Sequence, residues 1–308
     1  MMNKSLLLLS IFYLMLASTI HAQINDLADA VDVLSEDAKK DTTFWVSEFS
    51  GGLNFNQASF SDNWKAGGIN SIALGSIIAG KAMYKKDRLS WDSEIELLYG
   101  IVKNEGQSTR KSNDRMFFDT KMGYRMSENW GAFFSVNFLS QFTEGYEYGP
   151  NESRSLISDF MAPGFLTSSL GFEYKPNNEF NLRIGPFSPR FTFVNNPNII
   201  LTVPSNYGVP AGETTRIEWL ALQLFATYNK DLAENLNLKT RYMMFANYET
   251  LNLKNTDHRL DITITAKITQ VINVTLNTIS LYDIDQDPGV QFSQALALGI
   301  LYKVNNKK

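Results

Sequence analysis

The sequence predicts an all-β protein: a closed, antiparallel transmembrane β-barrel of about 12 strands. A cleaved signal peptide and a short helical segment precede it. Three observations carry this prediction. Apolar and polar residues alternate over unusually long stretches, short and long connections alternate between those stretches, and aromatic residues gather near the ends of the stretches. The stretch LSWDSEIELLYG (89–100) shows the first most plainly. Leu89, Trp91, Ile95, Leu97 and Tyr99 occupy every second position, interrupted only by Ser93, with Asp92, Glu94 and Glu96 between them. A strand sends successive side chains to opposite faces, so one face is apolar and the other acidic.

The 308 residues contain no linker-like break after the first forty, which favours one domain. Mean hydropathy is −0.19, and beyond the N-terminus no apolar run reaches the roughly 20 residues of a membrane helix. Residues 1–22, with Lys4, an apolar run from Leu6 to Leu16 and small residues up to Ala22, read as a secretory signal peptide. The apolar core is too short for an uncleaved anchor. With no cysteine, the chain has no disulfide framework, thiol chemistry or lipidated cysteine. A net charge of −4 gives no reason to invoke nucleic acid.

Residues 23–42 form the expected periplasmic lead-in. Leu27, Ala30, Val31 and Leu34 recur at helical spacing, fitting either a plain acidic helix or a plug or docking segment for an envelope partner. The barrel itself is expected over 43–304, with a tail at 305–308. Its strands begin at 44–60. In 72–84, Ile72, Leu74, Ile78, Ala82 and Tyr84 share a face. After 89–100 comes 114–126, where Met116, Phe118, Met122, Tyr124 and Met126 oppose Arg115, Asp119, Lys121 and Arg125. Segments 130–142 and 160–174 continue the alternation, followed by 180–194, 216–229, 236–248, 258–268, 273–283 and 292–304.

These segments are about twice the usual 5–6 residues of soluble strands and long enough to cross a bilayer at a tilt. Short turns fall at 85–87, 127–129, 176–179, 230–235 and near 270; longer links fall at 61–67, 103–113, 145–157, 195–215, 249–257 and 285–291. Outer-membrane barrels place short turns in the periplasm and long loops outside, so an even strand count puts both termini in the periplasm. Tyr84, Trp91, Tyr124, Trp130, Tyr174, Phe180, Tyr228 and Tyr302 lie near one set of strand ends, and Tyr99, Phe142, Phe160 and Tyr248 near the other. Such rings settle at headgroup level as two girdles. A secreted β-sandwich would explain neither the strand length nor the loop alternation.

Several stretches together resemble a known family: NWKAGGINSIAL (63–74), LSWDSEIELLYG (89–100), RKSNDRMFFDTKMGY (110–124), NFLSQFTEGY (137–146) and ISDFMAPGFLTSSLGFEYKP (157–176). The pattern is similar to the Bacteroidota domain-of-unknown-function family 3078, and the resemblance implies an outer-membrane setting without implying an activity. Gly299 to Val304 resembles the terminal-strand signal read by barrel-assembly machinery, with Val304 where an aromatic is usual.

No enzyme is expected. His258, flanked by Asp257 and near Asp261, is the only histidine after the leader and reads as a loop-edge residue. Asp283, Asp285 and Asp287 in YDIDQDPG superficially suggest a calcium loop. Gly289 stands at the seventh position rather than the sixth and no distant Glu follows, so no metal or cofactor is expected. The inward set Lys81, Asp92, Glu94, Glu96, Asp119, Lys121 and Arg125 is the expected lumen lining. A tight turn would set Lys81 opposite Asp92, and the next pairing would set Asp92 near Arg125 and Glu96 near Lys121, a ladder of opposite charges. Pro163, Pro186 and Pro189 inside expected strands signal bulges or breaks, above all in GPFSPR (185–190). The long 195–215 loop is placed to fold over or into the mouth. These features fit a channel for small hydrophilic solutes, or a closed structural barrel that scaffolds a partner; an outer-membrane hydrolase fits less well.

Overall fold

The computed structural model describes residues 44–305 apart from 62, 64, 66, 67, 204, 270 and 271. The leader at 1–22, the lead-in at 23–42 and the last three residues of the tail lie outside the described residues. The strands are β1 (Trp45–Ala58), β2 (Ser71–Lys86), β3 (Leu89–Asn104), β4 (Arg110–Arg125), β5 (Trp130–Ser140), β6 (Gly145–Tyr148), β7 (Arg154–Ser158), β8 (Gly164–Tyr174), β9 (Phe180–Phe187), β10 (Arg190–Phe193), β11 (Thr215–Glu218), β12 (Ala221–Ala233), β13 (Leu236–Asn247), β14 (Thr256–Lys267), β15 (Ile272–Asp283) and β16 (Asp287–Asn305).

The wall runs β1-β2-β3-β4-β5-β8-β9-β12-β13-β14-β15-β16 and returns to β1, every neighbour antiparallel. Closure is made by β1 against β16, from Glu48↔Asn305 to Asn54↔Gly299. The ring therefore has twelve strands and no free edge, the condition for backbone satisfaction in hydrocarbon. β6 and β7 form a separate hairpin in the β5–β8 connection.

The GPFSPR stretch breaks as its prolines dictate. β9 ends at Phe187 and β10 resumes at Arg190 along the same course; β11 and β12 are interrupted beside them. Proline has no N–H for the ladder. The wall is carried across the gap by Ser188 N–H donating to Ala221 O (2.9 Å) and Ser168 N–H to Pro189 O (3.0 Å). A bulge lies opposite, between Leu170 and Phe172 of β8. There Gly171 is required, because a Cβ would stand 1.9 Å from Ile184 O.

Alternation sorts the faces. Leu53, Leu74, Ile95, Phe118, Phe134, Leu170 and Leu296, drawn from seven wall strands, are exposed on the outside. Inward positions are buried on the same strands and are largely polar: Ser50 and Asn54, Glu96, Asp119 and Lys121, Ser135, Thr167 and Ser169. Ser93, the polar interruption in the outward row of β3, meets Thr120 Oγ1 at 2.8 Å, and Trp91 Nε1 donates to the same oxygen at 2.8 Å. The outward polar groups thus satisfy each other, as hydrocarbon demands.

Candidate functional site: the ion-paired lumen

The lumen lining is built by the inward residues of β2–β4 facing those of β8, β9, β13 and β14. Register was the part of the lining that alternation left open. The β2–β3 turn has only two central residues, Asp87 and Arg88, with Asp87 at φ 54°. It sets Lys81 opposite Glu94 and leaves Asp92 opposite Met83, correcting the expected Lys81–Asp92 pair. Between β3 and β4, Asp92 lies opposite Lys121, Glu94 opposite Asp119 and Glu96 opposite Phe117. The expected Asp92–Arg125 and Glu96–Lys121 pairs are therefore four residues out of step. A slip by an even number keeps every side chain on its face, so alternation cannot detect it. Here the outward matches Trp91↔Met122, Ile95↔Phe118 and Leu97↔Met116 accompany the observed register.

Arg125 consequently sits at the exposed rim, where its Nη2 donates to Asp87 O at 3.1 Å. The other six residues of the expected lining face the interior. Lys121 lies 3.2 Å from Asp92 and also pairs with Glu173 of β8, which accepts from Asn181 Nδ2 at 2.7 Å. Asp119 pairs with Arg183 of β9 at 3.1 Å, and Glu96 with Arg115 at 2.8 Å. Glu94 stands between Lys81 at 4.0 Å and Arg241 of β13 at 3.7 Å. β3 and β13 lie half-way round the ring from each other, so Glu94 and Arg241 meet across the lumen.

Glu173, Arg183, Lys239, Arg241, Arg259 and Asp261 were missed as lining residues. Their signal was the same as on β3: charge at alternate positions of an otherwise apolar segment, as in Lys239-Thr240-Arg241 and Arg259-Leu260-Asp261. Glu96 is 2% exposed, Lys239 4% and Arg241 7%, values that leave little solvent path around them. Charges this buried persist only when paired and hydrogen-bonded.

A second tier lies nearer the long loops. Arg190 of β10 bridges Glu218 (2.8 Å) and Asp257 of β14 (2.7 Å), with its guanidinium 3.7 Å from the Phe245 ring centre. Arg216 joins Glu218 (3.2 Å) to Asp285 (2.8 Å). The 195–214 loop brings Ile199 and Val209 against Ala162 and Val194 in a buried cluster, with Leu156, Val203 and Tyr207 packed on it. Tyr207 donates its hydroxyl to Ile157 O at 2.6 Å, and burial, helped by Asp283, pushes its pKa up to about 12.

Neither of the other sequence candidates assembles into a site. His258 points outward, opposite Tyr282, and its Nδ1 meets the Tyr242 hydroxyl at 2.8 Å. Asp257 and Asp261 sit at the alternate, inward positions, so neither can orient it. Asp283 accepts from Asp285 N–H (2.9 Å) and Gln286 Nε2 (2.7 Å), Asp285 binds Arg216, and Asp287 accepts from Gly289 N–H (2.7 Å). Among the described residues no group of three or more His, Cys, Asp or Glu is arranged to hold a metal.

Several residues of the expected short-turn girdle lie near short turns or pair with a residue at a strand start. Trp45 packs on Tyr84 (centroids 5.2 Å apart) and Trp91 (6.0 Å), and Trp130 on Tyr174 (4.8 Å). Tyr124 lies opposite Leu89, and Tyr228 opposite Phe180. The side chain of Tyr302 lies outside the described residues.

A closed ring with an apolar exterior and a polar interior defines the transmembrane β-barrel class, and here that interior is ion-paired. Within it, residues 55–146 match the model of a family described as a protein of unknown function (DUF3078), a narrower span than the resemblance read from the sequence. Solved structures similar to this chain are outer-membrane barrels. An outer membrane channel from Pseudomonas putida F1 is 10% identical over 89% of this chain and 99% of its own, with a TM-score of 0.40. The translocator domain of the autotransporter NalP from Neisseria meningitidis is 10% identical over 90% and 91%, with a TM-score of 0.36. Outer membrane phospholipase A from Escherichia coli is 9% identical over 90% and 98%, with a TM-score of 0.35. Likeness this slight says nothing about role. No curated protein matches the sequence.

Proposed function

We propose that this chain is an outer-membrane barrel with a sealed lumen, working as a structural or interaction scaffold rather than as a conduit. The observation that carries the reading is the Glu94–Arg241 contact between opposite walls, at 3.7 Å, beside the buried inward side chains of Glu96, Lys239 and Arg241. An ion-selective pore needs a continuous wet path past its charged lining. Here the charges pair with one another and support a filled interior, which weighs against the solute channel that the inward charged set also fits.

The short turns then face the periplasm with both termini, and the 145–158 hairpin and the 195–214 loop form the external surface that a partner would meet. The lipid bilayer and, during biogenesis, the barrel-assembly machinery complete the expected partners. The outward position of His258 and its pairing with Tyr242 support a non-enzymatic role. Liposome swelling tests the reading. Vesicles carrying the folded barrel should exclude arabinose as protein-free vesicles do, and arabinose entry at the rate of an open porin would sink the proposal.

A further inference from the structure

The tier beneath the 195–214 loop holds more carboxyl groups than its cations match. Arg190 and Arg216 are engaged by Asp257 and Asp285 respectively, and both of them by Glu218. Asp283 makes no ion pair among the described residues; it accepts from Asp285 N–H and Gln286 Nε2. Four carboxyls thus stand against two guanidinium groups, and Glu218 and Asp283 are only 4% and 6% exposed. Asp257 and Asp283 follow directly on the His258↔Tyr282 pair of β14 and β15, at the long-loop end of both strands. Asp257 feels the charges of Arg190, Asp283 and Glu218, and Asp283 those of Arg190 and Asp285. Asp287, opposite Asp283 on β16, is exposed and accepts from Gly289 N–H. Of the other titratable neighbours, Tyr207 keeps its proton up to about pH 12, and His258 stands on the outer face against Tyr242.

Two buried carboxyls side by side cannot both ionise without strong repulsion, so such a pair retains one proton beyond the usual carboxylate range. The loop rests directly on this tier. Gly208 (φ 77°) is seated so closely on the Arg216–Asp285 pair that a Cβ would collide with Arg216 Nη1 and Asp285 Oδ2. Arg216 Nη1 also donates to Gly208 O at 3.3 Å. We infer that Asp257 and Asp283 share one proton at neutral pH, and that this proton keeps the 195–214 loop seated on the barrel. One proton halves the tier's excess of two negative charges. Its loss restores the full repulsion beneath Gly208, draws water in and loosens the loop, whether or not the lumen conducts. The hold is therefore complete on the acidic side of neutrality and is lost as pH rises through the titration of the pair.

The test uses the full folded chain in detergent. Its infrared spectrum should contain the carbonyl stretch of a protonated carboxylic acid at about pH 6 and lose it by about pH 9. Asp257→Asn or Asp283→Asn alone should abolish that band at both pH values, because each removes the like neighbour that retains the proton. His258→Gln should keep it. The chain has no cysteine, so a nitroxide on Ser205→Cys reports the loop alone. The label should be immobilised at the acidic end and mobile at the alkaline end, and in either asparagine variant it should stay immobilised throughout. Absence of the band from the unaltered protein would overturn the shared proton. A band that titrates while the label's mobility stays constant would overturn the proton's hold on the loop. Should Asp257→Asn fail to fold, Asp283→Asn carries the comparison, and the two readouts on the unaltered side chains decide without either.

Discussion

Arg241 and Glu94 face each other from opposite walls of the barrel, with Nη2 and Oε1 3.7 Å apart. The geometry is long for a hydrogen bond, and Glu94 also has Lys81 at 4.0 Å, so the contact works as a charge relation rather than a clamp. Arg241→Ala removes one side of a buried relation and should cost on the order of 3 kcal/mol. Glu94→Gln should cost less, and the double variant less than the sum. Chemical unfolding of the refolded barrel in a double-mutant cycle measures the coupling; strict additivity would mean that the two groups do not interact.

Inside and outside are separable at adjacent positions of β3. Ile95 is 42% exposed on the outer face, and an arginine there should cost about 2–4 kcal/mol if it lies near the bilayer midplane. Ile95→Arg should therefore reduce membrane insertion, whereas Ile95→Leu should not. Glu94→Arg should insert but lose thermal stability, because it sets a third cation beside Lys81 and Arg241. Equal insertion of Ile95→Arg and the unaltered chain would refute the assignment of faces.

Gly171→Ala should disrupt the wall at the β8–β9 bulge, since the added methyl would meet backbone rather than a movable side chain. Loss of heat-modifiable gel mobility is the expected readout. Gly51 on the outer face has nothing within 4 Å of its would-be Cβ, and Gly51→Ala should leave folding unchanged.

How much of this was legible follows from what alternation encodes. The faces of β3 and β4 could be read directly, because period two assigns each side chain a side. The break at GPFSPR was legible from two missing N–H donors. The ladder's register was not, since Lys81 facing Glu94 or Asp92 gives the same pattern and a two-residue turn decides between them. The partners of Glu94, Asp119 and Lys121 on β13, β9 and β8 were also hidden, because contacts across a lumen depend on ring size and not on sequence neighbours.

At the long-loop end, Glu152 fastens the β3–β4 connection by accepting from Ser108 N–H (3.3 Å), Ser108 Oγ (2.7 Å) and Arg110 Nη2 (2.8 Å). The Ser108 hydrogen bonds, followed by Arg110, hold its carboxyl below the ordinary glutamate pKa. A depressed folded pKa means that the contact is fully present above the unfolded value and is lost as pH falls through the folded one. Limited proteolysis between residues 104 and 110 should therefore stay slow at neutral pH and accelerate only below the ordinary glutamate range. Glu152→Gln should be cut faster at neutral pH and show a weaker pH response; an unchanged profile would remove Glu152 from this role.

The sealed lumen is tested most directly by single-channel recording of the folded, heat-modifiable barrel in a planar bilayer at high salt. The account predicts silence at moderate voltage, with steps appearing when Arg241 and Glu94 are both replaced by alanine. Discrete, salt-dependent steps from the unaltered protein would contradict it and make the ion-paired interior the lining of a working pore.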